Sequence, residues 1–473
     1  MATGSEAPRS QRQGTRQRRP RRIPTPWAER AFPGIVGLLL LVNGCLVAPQ
    51  GSDFQRARVF ALEFASVLLA GWVIWAQPWS RARTATLFRR PVTWAGIGFM
   101  LWCVGSALTA EFFPYARVDA LRQCSGVLLC FAIAYGVSAA RFTTLATSIV
   151  IGAGISGVVG LASATRHERG WLVGAYGDPQ LLAAALGMAL PVALALGFGS
   201  QRTWRRALAG FFGMFAATAV IATGNRSVWV GTALGAITVL LLEWMSAKRQ
   251  KREWDGLYRA ALPVVGLFLA LGLFIGVANL AHRSTARATS FTRLLQDDAF
   301  IGRLRSWRAA RLMVLDRPLR GFGAGTFPLQ QALYREYTRD QATIALEGQG
   351  LSENAHNSYL QLAADLGLPG LALYLCILTG AISVGVRGVM ECTDPTRRWG
   401  LAGAVGAVVS QMYSAVGSPA WEFAYCSIHL WAGVGLVLAG GGSATDGLEA
   451  DVSASKPDLP QTAAGELDDG TLG

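Results

Sequence analysis

The chain has 473 residues, of which 52% are hydrophobic and only 15% charged, and its mean hydropathy is +0.34. Soluble domains carry about 25% charge, so these values exclude a soluble enzyme, a disordered scaffold and a disulfide-stapled secreted module. The net charge of +14 would suit nucleic acid or another anionic partner, and its distribution decides between them.

Residues 1–30 hold eight Arg and two Glu among Pro, Gln, Ser and Gly. This segment lacks the apolar surface to fold. It reads as a disordered cytoplasmic tail anchoring the first apolar span by the positive-inside bias, in preference to an RNA-binding arm or a transit peptide. Val42-Asn43-Gly44-Cys45 faintly resembles a lipoprotein cleavage site, but Asn43 fits it poorly and the span is expected to stay uncleaved.

A helix needs about 20 apolar residues to cross the hydrocarbon core. Candidate spans fall at 32–48, 59–77, 92–109, 120–138, 144–164, 180–199, 206–222, 227–243, 261–280, 368–387, 399–416 and 424–441. The chain is therefore predicted to be an all-α polytopic membrane protein with about twelve transmembrane helices. Residues 31–280 would carry helices 1–9 and residues 368–441 helices 10–12. Arg and Lys cluster in alternate connections: Arg81 to Arg90, Arg141, Arg202 to Arg206, Lys248 to Arg252, and Arg387 to Arg398. The positive-inside bias puts those loops, and both termini, in the cytoplasm. Residues 442–473, with seven acids and one Lys, form a disordered acidic cytoplasmic tail that cancels the basic one.

The seven Cys lie mostly inside apolar runs, without a CxxC pair or a His at metal spacing. They read as small packing residues. No internal repeat is visible and the spans look poor in charge, with Glu63 placed near the outer end of its helix. Both points weigh against a twelve-helix transporter, which would show repeated halves and midplane ionisable groups.

One connection stands apart. Residues 281–352 are long and polar, hold eleven Arg and six acids, and fall on the outer side of this topology. Residues 281–367 thus form a large helical periplasmic loop ending in a membrane-surface helix, and the basic excess calls for an anionic ligand. Within it, Leu304, Trp307, Ala310 and Val314 share one helical face and Arg303, Trp307 and Arg311 an adjoining one. Pro318 and the Gly321, Gly323 and Gly325 run end that helix. The Gly run follows a helix and lacks Lys-Ser/Thr, so it reads as a turn and not as a phosphate loop. Further on, Ser352 is expected to cap a new helix, with Glu353 at its positive end and His356 in its first turn beside Asn357 and Tyr359. A single His is more often structural than catalytic, but this one sits in a dense polar run. Arg226 lies in a tight turn between two apolar spans, where an Arg is expensive without a partner; a lipid head group, an acid or a phosphate would serve.

Together these residues resemble a family. Gly224-Asn225-Arg226-Ser227, Arg303-x-x-x-Trp307, Asp316-Arg317-Pro318-Leu319-x-Gly321-x-Gly323 and Asn354-Ala355-His356-Asn357-Ser358-Tyr359-Leu360 follow the order seen in O-antigen ligases. Their superfamily includes polysaccharide polymerases and protein O-oligosaccharyltransferases. Tyr176-Gly177-Asp178-Pro179-Gln180 is similar to that family's Asn-Pro-Asn segment, with Asp178 and Gln180 in place of the Asn residues. The resemblance implies a C-type glycosyltransferase fold in a bacterial inner (plasma) membrane, active on the periplasmic side. It also implies an undecaprenyl-pyrophosphate-linked glycan donor and a glycolipid acceptor such as lipid A-core, without a metal or other cofactor and without nucleic acid. Forked Arg donors can hold a pyrophosphate bidentately. Arg226 and Arg303 are the candidates, with Arg305 in reserve. His356 would orient or deprotonate the acceptor hydroxyl, supported by Asn357, Tyr359 and Trp307. A polymerase would use the same donor chemistry with a second lipid-linked glycan as acceptor.

Overall fold

Backbone polar groups in lipid must be satisfied within their own segment, and the long apolar runs of this chain do so as helices. The structure, a computed structural model, describes residues 26–45, 53–76, 88–163, 171–251, 298–336 and 354–441. In chain order the helices are α1 (Pro26–Cys45), α2 (Asp53–Ala76), α3 (Pro91–Leu108), α4 (Phe113–Gly136), α5 (Ala139–Ala162), α6 (Pro179–Gly187), α7 (Ala189–Gly199), α8 (Thr203–Ala222), α9 (Arg226–Arg249), α10 (Asp298–Asp316), α11 (Phe327–Glu336), α12 (Ser358–Glu391), α13 (Pro395–Ser414) and α14 (Ala424–Gly440). Among the described residues there is no β-strand.

Among the described residues, eight spans are long and apolar enough to cross a membrane, with α6 and α7 counting as one, Pro179–Gly199; α1 and α14 contribute shorter apolar stretches, Ala31–Asn43 and Cys426–Gly440. The chain is thus a multi-pass membrane protein. The span expected at 261–280 lies outside the described residues, as do both tails. The one expected at 399–416 is α13, whose start carries Arg397, Arg398 and Trp399 and lowers its apolar character.

Small residues let the helix backbones approach. Gly231 and Gly235 of α9 face α13: a Cβ on Gly231 would lie 2.5 Å from the Ser410 carbonyl oxygen, and one on Gly235 2.6 Å from that of Gly406. Trp421, Trp431 and Tyr374 fill the space between α12 and α14, with ring centroids 4.7 Å (Tyr374–Trp421) and 5.4 Å (Tyr374–Trp431) apart, and all three are buried.

The longest helix is broken for a traceable reason. Proline has no N–H and leaves the carbonyl four residues earlier unbonded. In α12 that proline is Pro369, the freed carbonyl is Asp365, and Gly367 bends the chain at φ 72°. The glycine run takes up the loose ends. Gly323 N–H donates to the Asp365 carbonyl at 2.9 Å, Phe322 N–H to that of Ala364 at 3.0 Å, and Leu368 N–H returns to Pro318 at 2.8 Å. Gly321 and Gly323 have φ of 65° and 113°, and a Cβ at Gly321 would meet the backbone of Asp365. The run is a clasp on the kink, in keeping with a turn.

Two expectations about this region need correction. The helix holding the His motif starts at Ser358, with Asn357 as its N-cap, so His356 precedes the helix and does not lie in its first turn; Ser352 and Glu353 lie outside the described residues. The reason is local: the Asn357 carboxamide accepts Leu360 N–H at 3.0 Å, and His356 at φ 51° cannot continue a right-handed helix. On α10 the buried face is Ser306, Ala309, Ala310 and Met313, whereas Leu304 is 38% exposed. Ala310 and Met313 pack with Ala364 of α12, and Val314 of the expected stripe packs against the same cluster.

Candidate functional site

Three helix starts meet at one end of the bundle, each with a cap that fixes its first turn. At α6, Gly177 turns the chain at φ 71°, and the Asp178 carboxylate accepts the N–H groups of Gln180 and Leu181 at 2.6 and 3.2 Å. At α9, Asn225 accepts Val228 N–H at 3.3 Å and places Arg226 as the first helical residue. At α12, Asn357 does the same for Ser358.

Residues 412–422 tie two of these starts together. The Asn225 carboxamide donates to the Ser418 hydroxyl at 2.9 Å. The Ser358 hydroxyl donates to the Glu422 carboxylate at 2.8 Å, its oxygen accepts Ala420 N–H at 3.1 Å, and Ser358 N–H donates to the Ala415 carbonyl at 2.9 Å. The Tyr359 hydroxyl donates to Met412 at 2.7 Å, and its ring sits 4.6 Å from that of Trp421. Tyr359 and Asn357 thus hold the start of α12 in place.

His356 is held from three directions. Its N–H donates to the Asn354 side chain at 2.9 Å, which stabilises the left-handed bend, and Ala355 N–H donates to Gln361 at 2.8 Å. Its ring Nδ1 lies 3.4 Å from Gln180 Oε1. Burial, with the Arg303 guanidinium nearby, pushes its pKa down to about 4. The imidazole is thus neutral at neutral pH, and the same two causes disfavour its protonated form.

Arg303 is the cation whose charge reaches His356. Arg305, two positions on, is turned about 200° around the helix axis, which separates the two candidates. Trp307, four positions from Arg303, shares its side of α10 and is half-buried. Arg226 stands half-buried at the start of α9, joined through Asn225 and Ser418 to the segment that carries Ser358.

Two neighbours were not among the sequence candidates. Gln180 belongs to the segment that departs from the Asn-Pro-Asn pattern, and its contact spans 176 positions. Glu422 is half-buried with its Oε1 enclosed, and that desolvation lifts its carboxyl to about 7 against the opposing hydrogen bond from Ser358. A charge in an extramembrane turn after a Pro-Ala-Trp run carries no signal of burial.

The impression that the spans are poor in charge also needs correction. Asp119 and Arg122 of α4 form an ion pair, and the charge of Arg122 reaches Glu63, Asp365 and Glu422. Asp365 accepts Phe327 N–H at 2.7 Å, so this cluster underpins the clasp and the α11 start. The four acids and one Arg come from α2, α4, α12 and a turn, a meeting that no single span reveals.

The sequence model of the O-antigen ligase family matches residues 209–375. That stretch contains Arg226, Arg303, the clasp and the His356 run, and it supports assignment of the chain to that family. No curated protein matches the chain.

Proposed function

With the O-antigen ligase family as premise, we propose that this membrane protein is a glycosyltransferase. It moves a glycan from an undecaprenyl-pyrophosphate carrier to a sugar hydroxyl of a glycolipid acceptor such as lipid A-core. Arg226 and Arg303 bind the pyrophosphate, and His356 is the base. The observation that carries this reading is the gathering of His356, Arg303 and the capped starts of α6, α9 and α12 at one end of the bundle.

Helix N-termini present partial positive charge and favour anions, and two guanidinium forks add bidentate donors. In the reaction the acceptor oxygen attacks the anomeric carbon, and the bond from that carbon to the pyrophosphate oxygen breaks. The departing undecaprenyl pyrophosphate keeps the electron pair, held by Arg226 and Arg303, and the hydroxyl proton passes to neutral His356. The arginines do the electrostatic work and no step calls for a metal. The alternating Arg and Lys clusters support a periplasmic position for this end, in our reading of the chain as a bacterial inner-membrane protein with about twelve spans in the C-type arrangement.

The test is direct. His356→Ala and Arg226→Ala should each abolish glycan transfer while the protein remains inserted. Wild-type levels of surface glycan from either variant, at matched membrane expression, would overturn the proposal.

A further inference from the structure

Gln180 is half-buried at the second position of α6, on a backbone with little freedom. Pro179 fixes φ at the first helical position, and the Asp178 cap takes the next two N–H groups. On the opposite side the His356 backbone is pinned in the left-handed region by Asn354. A non-glycine residue at positive φ stores strain and persists only where its surroundings hold it there. Between these two fixed backbones Gln180 Oε1 faces His356 Nδ1 at 3.4 Å.

An amide oxygen only accepts, so with Gln180 Oε1 toward the ring the pairing requires the hydrogen on Nδ1. The second ring nitrogen, Nε2, then holds a lone pair. The reverse pairing, with the Gln180 amide nitrogen donating to Nδ1, would put the hydrogen on Nε2 and leave that side unable to take a proton.

We propose that Gln180 is a positioning residue that fixes His356 as the Nδ1–H tautomer and aims Nε2 at the acceptor hydroxyl. This rests on His356 being the base. It gives a use to the departure from the Asn-Pro-Asn pattern: glutamine has one methylene more than asparagine, so its amide reaches further from the α6 start toward the ring.

The experiment uses the full chain, purified into lipid nanodiscs with 15N-labelled histidine. The chain has four His, and His356→Ala assigns the His356 signal by its disappearance. The wild type is expected to show Nδ1–H, with titration in the acidic range. Gln180→Ala should lose that tautomer preference, and its transfer kcat should fall about tenfold, the lower end for loss of a histidine's outer partner, with KM for the donor unchanged. Gln180→Glu keeps an acceptor oxygen, so it should retain Nδ1–H and move both the His356 titration and the acid limb of transfer to higher pH. A wild-type Nε2–H signal would overturn the proposal, as would a Gln180→Ala variant with unaltered tautomer and pH profile. Wild-type transfer by His356→Ala would instead sink the base assignment, a result separable from the tautomer spectra.

Discussion

The two ends of the helical bundle use the same residue types in opposite ways. At the end where α9, α12 and α14 finish, cations meet carbonyls and a carboxylate. Arg397 donates to the Gly440 carbonyl at 3.0 Å, Arg90 to that of Leu438 at 2.9 Å, and Gln250 to those of Met390 and Cys392 at 3.3 and 3.2 Å. Arg398 Nε lies 3.1 Å from both Glu243 oxygens, and the two side chains are 2% and 4% exposed. Helix C-termini carry partial negative charge, and here that charge is answered inside the protein. At the other end α6, α9 and α12 begin. Asn225 and Asn357 cap their first turns without a charge and Asp178 brings one carboxylate, while Arg226, Arg303 and a neutral His356 stand close by. Helix direction thus divides the molecule into an end that closes on itself and an end suited to an external anion.

That contrast can be broken at either end. The largest effect on stability is expected from Arg398→Ala, which leaves Glu243 buried without its partner. Thermal unfolding in detergent should register a loss of about 3–5 kcal/mol, whereas Arg398→Met with Glu243→Leu should recover most of it. If the single variant melts like wild type, the closed end is not held by this pair. Arg303→Ala should do the reverse: an unchanged melt, with transfer about 10²–10³-fold slower, as for loss of one transition-state donor.

A subtler distinction comes from pH. The Glu422 carboxyl, raised to about 7 by burial, binds its proton more tightly folded than unfolded. Its contribution to stability is therefore present in full below the unfolded value near 4.5 and is lost as pH rises through about 7. Glu422→Gln keeps a neutral group beside Ser358 and should flatten the decline in melting temperature between about pH 4.5 and 7. An equally steep decline would assign it to other groups. The smallest effect is expected from Arg305→Ala, whose transfer rate should stay within a few-fold of wild type because its side chain leaves α10 on another side from Arg303. A loss as large as that of Arg303→Ala would merge the two.

Sequence patterns located most of the fold, because runs of about 20 apolar residues have few alternatives to a helix. The kink in α12 needed more: Gly367 and Pro369 are visible in the sequence, but only the partners from Pro318 to Gly323 show why the broken helix stays stable. Arg90, Arg397 and Arg398 stand out in the sequence as a charge cluster, which conceals that Arg90 and Arg397 donate to helix-end carbonyls and Arg398 to Glu243. The candidate site followed the same division. His356, Arg226 and Arg303 were recognisable from local motifs, although the helix start was misplaced because Ser352 and Asn357 are both good caps. Gln180 and Glu422 were not, since each acts through a partner far away in the chain, and Arg122 assembles acids that look isolated span by span.

The central claim is that the open end of the bundle transfers a carrier-linked glycan, and a deletion strain analysed for both lipid-linked and surface glycans tests it most directly. The account predicts long polymer stranded on the lipid carrier, with transfer restored by the wild-type chain and not by His356→Ala. Single repeats already joined to the acceptor would indicate a polymerase instead, and unaltered glycan in both pools would contradict the account.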